Sequence, residues 1–331
     1  MRTKLILGIF LVAAITARAA DTPSPALIVL NKHDANLAVV DPASGNVVGR
    51  VATGVEPHEV AVSTDGTLAF VANWGTAREA GRTLSVIDLV ALKELHRVDL
   101  GPLRRPHGIA FAGGKAYFTA ETNKLIGRYD PATNQVDWLL GTGQETTHMV
   151  IVSRNLTTIF TSNIDSDSIS IFERTSFDRK NETWKHTVVP VGGGPEGFDV
   201  SPDGYELWAA HTRGGGVSVV NLQTKQVTET IKLEAKRLSR LKFTPDGAHV
   251  LITDFDAGEL MILDVQTHKE IKRLKMGRFP EGIQIVPDGS RAYIAVAGDN
   301  TIVVLDLKTW DVTGHITPGA EPDGMAWAVR R

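Results

Sequence analysis

Three histidines, three carboxylates and a serine share one position of a repeated motif. Counting back seven residues from the Asp of each Asp-Gly turn, Asp65, Asp203, Asp246 and Asp288 lead to His58, Glu196, Ser239 and Glu281. Where the turn has drifted, the same count reaches His107 (from Gly114) and His148 (from Asn155), and the last, truncated copy supplies Asp323. Neutral imidazoles and carboxylates that converge at about 2.0–2.2 Å form a metal site, and that donor mixture suits zinc, copper or iron better than calcium. The metal expectation rests on His58, His107 and His148. An organic anion held by His and Arg is a second expectation, because Arg104, Arg105, Arg237, Arg240 and Arg278 lie close by in sequence. A solvated polar rim that binds nothing is a third.

A second set follows the next strand of each repeat: Asn31, Asn73, Glu121, Asn163, His211, Asp254 and Val296. Both sets belong to loops expected on one face. The candidate ligand-binding residues are therefore His58, His107, His148, Glu196, His211, Asp254, Glu281 and Asp323. Other motifs carry less. The G-x-G-x-x-G match from Gly192 to Gly197 precedes a strand, so it lacks the helix that would hold a phosphate. Asn163-Ile-Asp-Ser-Asp167 opens like a calcium loop, but Arg174 stands where the closing carboxylate belongs. Neither H-E-x-x-H nor G-x-S-x-G occurs.

The elements that must position these residues come from the repeat itself. Gly54-Val-Glu-Pro-His-Glu-Val-Ala-Val-Ser-Thr-Asp-Gly66 returns at 192–204, at 277–289 and, without its first Gly, at 235–247. Degenerate copies start at Gly101 and Gly141, and a truncated one at Gly319. After each Asp-Gly turn comes an alternating strand, a polar loop, a second strand ending in Asp, and a third strand running to the next Gly. Four strands in roughly 40–50 residues is the period of a propeller blade. Six units are complete. The seventh start supplies one strand, and the missing three lie at the other end: Ala26 to Asn31, Leu37 to Asp41 and Val47 to Ala52. The expectation is an all-β, seven-bladed β-propeller whose last blade is closed by N- and C-terminal strands, leaving no open sheet edge. Gly75 to Arg82 and Glu173 to His186 are expected as lengthened loops.

The run Pro57-His-Glu-Val-Ala-Val-Ser-Thr-Asp-Gly66, followed by Val-Ala-Asn73 and Ser-Val-Ile-Asp88, resembles the YVTN β-propeller repeat family over nearly the whole chain after its leader. That family includes bacterial secreted and surface-layer proteins. The chain is also similar to the haem propeller of cytochrome-type nitrite reductases and the copper propeller of nitrous-oxide reductases. It lacks the additional domains of both, so the resemblance implies the fold and transfers neither activity.

The leader reads as a secretory signal over residues 1–19. Arg2 and Lys4 precede an apolar stretch from Leu5 to Ala17, too short to span a bilayer comfortably, and Ala17-Arg18-Ala19 is a small-x-small cleavage site. A single propeller domain is expected over 20–331, in the periplasm or outside the cell of a bacterium. No later segment is apolar enough for a membrane span. Removing the leader takes three of the 35 basic residues and none of the 38 acidic ones, which argues against general nucleic-acid binding. The absence of cysteine excludes disulfides, thiolate metal sites and cysteine nucleophiles. Three functions fit: a binding protein using the channel mouth, with a small molecule or protein as partner; a metal-dependent hydrolase, lactonase or oxidoreductase using the His ring; or a protein-interaction scaffold.

Overall fold

The computed structural model describes residues 22–177 and 182–331; the leader expected over 1–19 lies outside them. Strands are short because each is stopped by a turn with its own chemistry. In Ser63-Thr-Asp-Gly66 the Ser63 Oγ donates to Asp65 Oδ1 at 2.5 Å, the Thr67 N–H donates to the same oxygen at 3.1 Å, and Gly66 takes φ 73°. A residue with a Cβ would be strained there. The turns at Ser201–Gly204 and Thr244–Gly247 repeat this wiring.

These strands form seven four-stranded antiparallel sheets. Blade 1 covers 57–99, blade 2 106–141, blade 3 147–190, blade 4 195–232, blade 5 238–275 and blade 6 280–316. Blade 7 joins 322–328 to 26–52, with Leu27 opposite Trp327 and Val29 opposite Met325. The closure expected from the sequence is thus the one observed. Among the described residues the helical pieces are three 3-10 turns, Glu121–Asn123, Ile164–Ser166 and Ala297–Asp299. Two expectations are corrected. Gly75 to Arg82 and Glu173 to His186 in large part extend hairpins, pairing as far as Gly75 with Ala80 and Phe177 with Glu182.

The core lies between blades. Seven apolar clusters each bridge one pair of neighbouring blades. Successive residues of a strand face opposite ways. Ala69 and Val71 therefore pack on blade 7, while Phe70 and Ala72 pack on blade 2. Both faces of the inner strands are buried, which explains their nearly continuous hydrophobic runs.

Candidate functional site

Every innermost strand enters with a register slip against its neighbour, after Pro57, Pro106, Thr147, Pro195, Leu238 and Pro280, and at Asn31 opposite Pro322. The extra residue is a β-bulge, which re-aims side chains at the channel rim. Four bulges continue in glycine because the inner strands crowd together. A Cβ on Gly282 would lie 2.1 Å from the Asp323 carbonyl oxygen, and one on Gly324 would lie 2.2 Å from that of His58. The next strand of one blade also holds the rim residue of its neighbour. Thr119 Oγ1 donates to the His148 carbonyl at 2.6 Å, and Ser162 Oγ to the Glu196 carbonyl at 2.8 Å.

The three histidines meet. His58 Nδ1 and His107 Nε2 are 3.1 Å apart, and the His107 and His148 rings meet at a tilt of 33° with centroids at 3.7 Å. Burial above all, then the neighbouring His148 and His58, holds His107 well below the ordinary imidazole range, so this ring is neutral at pH 7. His148 Nδ1 lies 2.6 Å from Glu121 Oε1, and the Trp74 indole N–H donates to Glu121 Oε2 at 2.7 Å. His58 Nε2, His107 Nδ1 and His148 Nε2 are buried with no hydrogen-bond partner.

The carboxylates of the rim are wired to cations. Arg240 spans the channel from blade 5, donating to Glu196 Oε1 at 2.7 Å and to Glu59 Oε1 of blade 1 at 2.9 Å. Lys32 Nζ donates to Glu281 Oε2 at 2.7 Å and lies 3.5 Å from Asp323 Oδ2. Glu281 and Asp323 diverge. Burial, then Asp323, pushes Glu281 up to about 8, while Lys32 and Arg240 overcome burial and hold Asp323 at about 2. The pair therefore keeps one proton at neutral pH, as like charges side by side require. Asp323 Oδ2 is 3.7 Å from His58 Nδ1, which joins the acidic half of the mouth to the imidazole half.

His211 and Asp254 are not brought into this site. Asp254 is buried and accepts from the Lys236 N–H at 2.7 Å and the Arg237 N–H at 3.1 Å. His211 Nε2 sits 3.0 Å from Ser218 Oγ of its own blade. Asn73, in the same repeat position, accepts from the Gly54 N–H at 3.0 Å. At Asn31, Asn73 and Asp254 this position bonds the inter-blade crossover, which has backbone groups to satisfy there, whereas Asn163 and His211 bond serines of their own hairpin. Glu121 does neither. In its blade Asn123 bonds the crossover, accepting from the Arg104 N–H at 2.7 Å, and Glu121 is free to turn towards His148. The sequence signal was a Glu among Asn, Asp and His. Lys32 and Glu59 were missed altogether, because each lies one residue past a repeat position that the count from the turn picks out.

Comparison with known proteins fixes the family. A family model described as YNCE-like β-propeller matches residues 9–327. The chain belongs to the YNCE-like β-propeller family. Among solved structures, this YNCE-like propeller is similar to Kuenenia stuttgartiensis hydrazine synthase, at 18% identity and TM-score 0.73, covering 89% of this chain and 98% of that one. It is similar also to the Pseudomonas aeruginosa periplasmic gluconolactonase PpgL, at 16% identity and TM-score 0.74, covering 93% and 100%. At such identities the likeness is one of fold. Antigen Lp49 of Leptospira interrogans is 27% identical over 94 residues, 28% of this chain and 21% of that protein's length.

Proposed function

We propose that this protein is an extracytoplasmic binding protein whose ligand sits at the histidine side of the channel mouth. The observation that carries this reading is the pair of ring nitrogens His107 Nδ1 and His148 Nε2, buried on adjoining rings without partners. Buried polar atoms in native proteins are nearly always paired, so a cluster of unpaired acceptors or donors at one rim marks a place for a ligand. The basic, apolar and small-residue leader of residues 1–19 supports a location outside the cytoplasm. Among the described residues, no helix is long and apolar enough to cross a membrane.

Thermal shift against a panel of first-row cations and small organic anions tests this. A ligand that binds only the folded state raises Tm, by about 2.7 kcal/mol of stabilisation at one hundred times Kd. At least one member of the panel is expected to do so for the wild type and to lose its effect when His58, His107 and His148 are all changed to alanine. A shift that survives in the triple variant would place the ligand elsewhere.

A further inference from the structure

The reading above leaves the ligand open, and the inference drawn here rests on it. We infer that the ligand is a transition-metal cation held by His107 and His148, with Glu121 as the outer carboxylate that orients His148 through its Nδ1. The donor atoms of these three residues all lie within 4.8 Å of one another, and all three residues are buried, at 2%, 7% and 7% exposure for His107, His148 and Glu121. Ligands of a tetrahedral ion at 2.0–2.2 Å sit roughly 3.4 Å apart.

The hydrogen bonding selects the atoms. A carboxylate can only accept, so the His148–Glu121 bond places the proton on His148 Nδ1. In the neutral ring this leaves Nε2 as a lone pair, the atom found buried and unpartnered. On the other side, His58 Nδ1 lies against His107 Nε2. When His58 accepts the His107 Nε2 proton, His107 Nδ1 becomes the second open lone pair. His58 is thus a positioning residue, set apart from the ligand group that the repeat register alone had given it. Trp74 holds Glu121 in place through Oε2 and lies with its ring 5.1 Å from that of His58.

The chemistry favours a cation over an anion. The group offers two imidazole lone pairs backed by a carboxylate, while the cations Arg240 and Lys32 are engaged by Glu59, Glu196, Glu281 and Asp323. Imidazole nitrogens suit Zn(II), Cu(II), Ni(II) or Fe(II), with water completing the coordination; calcium and magnesium ask for six or more oxygens, waters among them.

Calorimetric titration of the untagged full chain with Zn(II), and absorption spectra with Co(II), decide the matter. One equivalent is expected to bind to the wild type, with Co(II) giving the intense visible bands of a low-coordinate site. His107→Ala and His148→Ala, and the milder His148→Gln, are expected to weaken Zn(II) at least a hundredfold. Trp74→Phe keeps the ring but removes the donor to Glu121, and should cost about tenfold, as outer-shell losses do. His211→Asn should leave binding unchanged. Equal Zn(II) affinity in wild type and His107→Ala, with both folded by circular dichroism, would overturn the cation assignment. If Zn(II) fails but an organic anion binds and needs the histidines, the cation inference falls and the ligand site stands. If neither binds, both fall.

Discussion

At the residue scale the channel mouth is a problem of placing four carboxylates and two cations in a narrow buried space. Glu59, Glu196, Glu281 and Asp323 outnumber Lys32 and Arg240. An unpaired buried charge is expensive, and the molecule responds by keeping a proton. Burial raises both Glu59 and Glu281, the latter to about 8. The sign of the resulting pH dependence is fixed. Unfolded, Glu281 loses its proton near pH 4.5. Folded, it keeps it to about 8, so between those values the native state binds the extra proton and stability declines as pH rises. Glu281→Gln mimics the protonated form. Urea unfolding should find the variant within about 0.5 kcal/mol of wild type at pH 5. At pH 8 it should be more stable by on the order of 1 kcal/mol or more. Parallel stability curves for the two proteins across that range would mean Glu281 ionises freely.

At the element scale the buried polar side chains beside the crossovers close hairpins or hold crossover backbone, and this separates histidines that look alike in sequence. His211 bonds Ser218 of its own hairpin, as Asn73 bonds Ser85 and Asn163 bonds Ser170. Burial holds it down to about 4, so as pH falls from about 6.5 towards 4 the unfolded chain takes a proton that the native ring refuses, and stability is lost. His211→Asn should remove that part of the acid sensitivity while keeping a hairpin bond to Ser218, read as a flatter Tm between pH 4 and 6.5. Gly192→Ala should destabilise by about 1–3 kcal/mol, because the added Cβ would sit 2.0 Å from the His211 ring. The sequence made the strands and the rim register legible, since every Asp-Gly turn restarts the count. It hid Lys32 and Glu59, each one residue past a repeat position, and it merged His211 and Asp254 with the mouth, because a shared face does not reveal which nearby groups need a partner.

At the scale of the molecule, stability belongs to the interfaces between blades, and a ring of seven has no spare one. Met325 and Ala326 sit in the two clusters on either side of blade 7. Removing residues 319–331 uncovers both clusters and leaves Ala26–Asn31 as a bare edge. The truncated protein should melt roughly 10 °C or more below the full chain, or fail to melt cooperatively. A difference of only a few degrees by calorimetry would show that the blades stand alone. The Arg330 guanidinium, bound to Thr22 Oγ1 at 2.5 Å and to the Thr22 carbonyl, fastens the same seam on its outer side.

The seam has a consequence in time. Blade 7 unites a strand that emerges first in synthesis with one that emerges last, so its pairing is the longest-range contact in the molecule and a slow one to make. Ala26–Asn31 is buried along its whole length in the finished ring, and five of its six residues are apolar. In the nascent chain that strand has no inner partner until residues 322–328 arrive. Until then it is the segment most exposed to mispairing with another copy, and so the one a holding chaperone has most reason to cover.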